Sequence, residues 1–171
     1  SNQVFGHSLH RNLPIKSENE LRRIAVCPFS RNQSKNLPPH FVAVAAEICR
    51  NFDFDTEVLL LEGEEYEPIK FSRRKYISRN FDCLASTLSM YDGVISADSL
   101  PAHLAEYYDT PTFVVTKEPN PYWLPAHAFI NDFYGLFSGT ASTRLRLQRF
   151  LDAILQRKSN SSHLPTHRQI K

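Results

Sequence analysis

Short, largely apolar runs recur along this chain, with room for a helix between most successive runs. Ile24-Ala25-Val26-Cys27, Glu57-Val58-Leu59-Leu60-Leu61, Val94-Ile95 and Pro111-Thr112-Phe113-Val114-Val115-Thr116 are too short for helices. They also lack the polar alternation of a strand with one wet face, so they read as strands buried on both sides. Between them the period changes. Phe41, Val44, Ala45, Ile48, Cys49 and Phe52 fall at i, i+3, i+4, i+7, i+8 and i+11, one broad helical stripe that begins near Pro38-Pro39. Phe81, Leu84, Leu88 and Tyr91 mark a shorter helix, and Tyr76-Ile77 a short strand before it. Leu100, Leu104, Tyr107 and Tyr108 give a third helix. A last one runs from a cap near Thr140 or Ser142 to Lys158, with Leu147, Phe150, Leu151, Ile154 and Leu155 on its apolar face. Strands alternating with helices of this size imply an α/β fold, a parallel sheet with helices on both faces.

With 171 residues, one core is expected. Residues 1–21 read as an arm or linker remnant, 22–158 as the folded domain and 159–171 as a mobile polar tail. Residues 117–139, rich in proline and aromatics, read as irregular. No apolar run reaches the roughly 20 residues that span a bilayer. A net charge of +2 gives no electrostatic argument for nucleic acid. Cys27, Cys49 and Cys83 are odd in number and sit in apolar patterns, which suits reduced thiols in the cytoplasm. His163 and His167 are four apart in the tail, where no helical pattern holds them on one face for a metal. Glycine is scarce: five residues, where usage near 7% would give about twelve.

The chemistry-bearing stretch is Gly93 to Ala105. A β-branched run ends in a polar corner, Asp98-Ser99, and a helix-competent segment follows. Ser99 is a good N-cap, and Pro101 suits a first turn that needs no N–H from it. Such a corner offers free backbone N–H groups and the positive end of a helix dipole, a natural phosphate site. Lys35, in the polar loop between the first strand and first helix, can approach a diphosphate as a compact point charge. The glutamates around Gly63 stand where a carboxylate can accept from both hydroxyls of a cis-diol. Each feature read singly is also an ordinary cap, a solvated lysine or an acidic loop.

Asp98-Ser99-Leu100-Pro101-Ala102-His103-Leu104-Ala105 after Val94-Ile95-Ser96 resembles the signature of glycosyltransferase family 9, the ADP-heptose lipopolysaccharide heptosyltransferases. The resemblance runs in element order over roughly residues 22–157. It implies a Rossmann-like doubly wound parallel sheet, the C-terminal, donor-binding half of a GT-B fold. It further implies that Lys35 and Ser30 neutralise and bond donor phosphate, and that Glu67, through Gly63-x-x-x-Glu67, accepts from the ribose hydroxyls. Asp98 and Ser99 would face the donor's sugar and phosphates, with His103 as support. The implied substrate is an ADP-heptose-like nucleoside-diphosphate sugar, and no metal or other cofactor is called for. The implied partners are a glycan or glycolipid acceptor and an N-terminal acceptor domain carrying the general base, in the same or another chain. The implied setting is the cytoplasm, with attachment to the inner membrane left open. Leu100 departs from the family glycine, Thr116 from a strand-ending Phe-Gly, and Phe29 and Arg31 from first-loop glycines. The alternative reading is a degenerate α/β module that binds a nucleotide or partner without turnover.

Overall fold

In the computed structural model, which describes residues 22–118 and 122–162, strands and helices alternate except at one place, where two successive strands are joined by a loop. The order is β1 (Arg23–Cys27), α1 (Pro39–Asn51), β2 (Asp55–Leu61), β3 (Ser72–Ile77), α2 (Phe81–Leu88) and β4 (Gly93–Ala97). Then come α3 (Leu100–Tyr107), β5 (Thr112–Thr116), α4 (Ala126–Ile130), β6 (Tyr134–Leu136) and α5 (Thr140–Ser162). All strands are parallel and lie in the order β3-β2-β1-β4-β5-β6. This is the doubly wound arrangement of a Rossmann-like fold. The winding reverses between β1 and β4, which opens a crevice beyond their carboxyl ends.

Burial on both faces explains the apolar inner stretches of β1, β2, β4 and β5. Successive side chains point to opposite sides, so Ile24 and Val26 of β1 face α1 and α5, while Ala25 and Cys27 face α2 and α3. On the first face Val42, Ala45, Ala46 and Cys49 of α1 and Leu147, Phe150, Leu151 and Ile154 of α5 pack on Val58, Leu60, Ile95, Phe113 and Val115. On the second, Leu84 and Leu88 of α2 and Leu104 and Ala105 of α3 cover Leu59, Ile77 and Val94.

Three sequence readings are corrected. The segment read as irregular contains α4 and β6. β6 is held by α5: Thr143 Oγ1 accepts from the Leu136 N–H at 3.0 Å and donates to the Leu136 carbonyl at 3.1 Å. Gly135 permits that approach, since a Cβ there would lie 2.3 Å from Thr143 Cγ2. β3 is a full edge strand, not two residues. Its charged Arg73 and Arg74 are exposed, and Arg73 lies 3.8 Å from both Asp55 and Glu57 of β2. Charge on an outermost strand discourages pairing with another chain. Finally, α5 continues past Lys158 to Ser162, so the first residues assigned to the tail are helical. The arm at 1–21 and the pair His163 and His167 lie outside the described residues.

The glycine scarcity has a local counterpart. Just past the C-caps of α1, α3 and α4 stand Asp53, Asp109 and Asp132, with φ of 61°, 58° and 56°. Glycine commonly takes this left-handed position, and aspartate is among the few other residues that tolerate it.

Candidate functional site

The loop after β1 is built by its own hydrogen bonds. The Leu37 N–H returns to the Pro28 carbonyl at 2.8 Å and closes it. Inside, Asn36 Oδ1 accepts from the Ser30 N–H at 2.8 Å, and Asn32 Oδ1 accepts from the Ser34 N–H at 3.1 Å, capping a 3-10 turn over Gln33–Lys35. Asx-type bonds of this kind fix a loop without glycine. The turn delivers Lys35 toward the end of β4. There Lys35 Nζ donates to Asp98 Oδ2 at 2.8 Å, across the point where the sheet reverses. The lysine side chain is 40% exposed and the aspartate 10%.

Ser99 occupies the N-cap position of α3, but its hydroxyl does not cap the helix. Instead Ser99 Oγ donates to the Ala97 carbonyl at 3.2 Å and lies 3.5 Å from Ser96 Oγ. No side chain caps the first turn of α3; Pro101 has no N–H and the Ala102 N–H returns to the Ser99 carbonyl at 3.1 Å, which leaves the Leu100 N–H at the positive end of the helix for an anion.

Beside this corner opens a cavity of about 450 Å³, over the carboxyl ends of β1, β2 and β3. That is the size of a small-molecule site. Its walls are largely apolar, from Cys27, Phe29, Leu59, Leu61 and Ile77, and its polar groups include Ser30, Glu64, Arg79 and Ser99. Leu100 and Pro101 form one edge, and the Leu100 side chain is 53% exposed. Burial foremost, and then the Glu64 carboxylate, push the Cys27 thiol up to about 12, so it is a neutral wall group.

Of the residues singled out from sequence, Ser30, Ser99 and Leu100 line this cavity, and Lys35 and Asp98 meet beside it. Two stand apart. His103 is exposed on α3 and is not part of the cavity wall. Glu67 lies in a separate, open polar depression with Glu65, Tyr66, Arg74 and Tyr76. Its neighbour Tyr66 donates to the Leu37 carbonyl at 3.0 Å, and burial foremost, then Glu67, hold the phenol above its usual range. The carboxylate that does face the cavity is Glu64. Gly63 adopts φ of 87°, which turns the chain back so that Glu64 Oε2 accepts from the Leu61 N–H at 2.7 Å. Arg79, also missed, is fixed by donating from Nε to the Glu62 carbonyl at 3.0 Å. The turn glycine was the available signal for Glu64; nothing local marks Arg79.

Among the described residues, no group of three His, Cys, Asp or Glu could hold a metal ion, and no helix is long and apolar enough to cross a membrane.

No protein-family model matches the sequence. No curated protein matches it either. Solved structures do share its fold. ADP-heptose lps heptosyltransferase II of E. coli superposes with a TM-score of 0.59 at 14% identity, over 82% of this chain and 48% of that one. E. coli heptosyltransferase WaaC, solved with ADP-2-deoxy-2-fluoro heptose, gives 0.52 at 14% identity, over 88% and 45%. The dodecameric iron-containing heptosyltransferase TibC of enterotoxigenic E. coli, solved with ADP-D-beta-D-heptose, gives 0.54 at 10% identity, over 88% and 48%. The chain spans about half the length of each of these structures.

Proposed function

We propose that this chain is the donor-binding half of a heptosyltransferase-like glycosyltransferase of the GT-B type. The observation that carries the reading is the meeting of Lys35 with Asp98-Ser99. These motifs are more than sixty residues apart, and the fold joins them at the switch point beside a small-molecule cavity. The fold shared with three heptosyltransferase structures supports it.

The ligand is a nucleoside-diphosphate sugar, ADP-heptose-like by resemblance. Its nucleoside lies in the apolar cavity, with Glu64 turned toward the ribose, and its diphosphate meets Lys35, Ser30, Ser99 and the first turn of α3. As the bond from the anomeric carbon to the diphosphate breaks, charge grows on the departing phosphate oxygen. A lysine and oriented N–H groups stabilise that charge without a metal. Asp98 holds Lys35 in position until the anion arrives and then shares it. The general base that takes the acceptor hydroxyl's proton, giving an inverting transfer, belongs to an acceptor domain in the same or another chain. The acceptor is a glycan or glycolipid of bacterial lipopolysaccharide or surface glycan synthesis, built on the cytoplasmic side.

Calorimetric titration with ADP, UDP, GDP and CDP tests the reading. At least one should bind, with or without a chelator, and Lys35→Ala should weaken it about tenfold or more, the loss of one charge-assisted contact. Absence of heat with all four would overturn the proposal.

A further inference from the structure

A second cavity, of about 430 Å³, opens on the other face of the sheet at its carboxyl edge, between the starts of α1 and α5. Its floor is apolar, from Phe41, Val44, Leu136 and Phe137. Its rim carries His40, Lys117 and Arg144, and among the described residues no acidic side chain lines it. Among the described residues, none of these three basic groups pairs with a carboxylate. The helices add to the imbalance. Neither α1 nor α5 has an acidic residue in its first turn, and the side chain at the α1 N-cap, Pro38, cannot accept a hydrogen bond. Instead Arg144 follows directly on the first turn of α5, toward the positive end of its dipole, the unfavourable sign for a cation. Two permanent cations and two helix starts around one concavity cost stability unless an anion is there to use them. A mobile surface of basic residues would not need a preformed apolar floor.

We propose that this cavity is a second anion-binding site, which takes a small organic anion whose phosphate or carboxylate meets Lys117 and Arg144 and whose apolar body rests on Phe41 and Phe137. It is distinct from the nucleotide cavity, although both border the β1–α1 loop: Ser30 and Arg31 face the one, Ser34 and Asn36 the other.

The probes are phenyl phosphate, benzoate and the neutral benzyl alcohol, titrated into the chain and followed by backbone amide shifts. Saturable shifts centred on Ser34, Thr140 and Arg144 are expected with an anion and not with benzyl alcohol. The stronger of the two anions identifies the head group. Lys117→Ala/Arg144→Ala should weaken that binding about tenfold or more, with the amide spectrum otherwise native. Both residues are exposed, so folding should persist. Lys35→Ala should leave the phenyl phosphate shifts at Thr140 and Arg144 unchanged, which separates this site from the proposed donor site whatever the fate of that reading. Four results would each overturn the inference: no saturable shifts with either anion, equal binding of benzyl alcohol, undiminished binding in the double variant, or competition by a nucleoside diphosphate.

Discussion

The Lys35–Asp98 pair makes an asymmetric prediction about stability. At 2.8 Å the bare attraction is about 1.5 kcal/mol in the dielectric of water and about 6 kcal/mol at an effective dielectric near 20. Water reaches Lys35, and two side chains must be held still, so the net coupling should be about 1–2 kcal/mol. The two partners differ in what they leave behind. Lys35→Ala strands a carboxylate that is 10% exposed, which should cost about 1–3 kcal/mol. Asp98→Asn leaves an ammonium that is already 40% exposed and free to turn to water, with an amide of the same size in the aspartate's place. It should cost below about 1 kcal/mol. Urea unfolding of the two single variants and the double variant measures all three quantities. The double variant should lose less than the sum of the singles, by the coupling energy. In melting temperature the lysine variant should fall by about 3–8 °C and the asparagine variant by about 3 °C at most. Equal losses, a larger loss for Asp98→Asn, or additivity in the double variant would refute the argument that Asp98 depends on Lys35 for its burial.

Glu64→Gln should reduce nucleoside diphosphate affinity several-fold while Glu67→Gln leaves it unchanged, measured by calorimetry, because only Glu64 lines the cavity. Leu100→Gly should keep affinity within about twofold while lowering stability by roughly 1 kcal/mol, since the exposed leucine borders the cavity without filling it and glycine raises the entropic cost of α3. Cys27 and Cys49 are both pushed up to about 12, chiefly by burial, from an ordinary value of 9.0. The unfolded chain therefore releases these protons first as pH rises. Stability carried by the neutral thiols is intact below pH 9 and is lost toward pH 12, by about 1.4 kcal/mol per unit for each thiol. Denaturant titrations at stepped alkaline pH should show that decline, flattened by Cys49→Ala. Gly135→Ala should destabilise by about 1–3 kcal/mol, since its Cβ would overlap Thr143, and hydrogen exchange should show the loss concentrated at β6 and the start of α5.

The sequence pattern revealed the elements whose burial is complete. β1 from Ile24 onward, Val58–Leu60 of β2, β4 and β5 are buried along both faces, and α1 shows its full stripe, so each declared its type locally. β3 was half hidden because an outermost strand can carry Arg73, Arg74 and Lys75. β6 and α4 were hidden because three and five residues are too few for a period to emerge. Their existence depends on Thr143 and on Val114, which accepts Leu124 and Ala128 beside it. Lys35 and Asp98 could be singled out because each follows a recognisable strand, Lys35 in the loop after β1 and Asp98 at the corner after β4. Glu67 fits the Gly-x-x-x-Glu pattern by its spacing from Gly63, but spacing says nothing about which way a loop turns, and the left-handed glycine turns Glu64 toward the cavity. Lys117 and Arg144 gave no local signal, because only the packing of α5 beside α1 brings them to one cavity.

The strand order also bears on how such a site comes into being. β1 emerges first yet ends at the centre, with β2 on one side and β4 on the other. The half containing β1 to β3 can pair as soon as it is made. The crevice, however, is the seam between the two halves, and its second wall waits for β4 and α3. Contacts this distant in sequence close slowly, because the loop entropy must be overcome before they reward the chain. A partly folded chain with only its first half in place holds Lys35 and Ser30 but no anion corner to oppose them. A ligand that needs both walls will ignore such intermediates and draw the population toward the finished fold, so recovery of binding on refolding should lag behind recovery of helix signal.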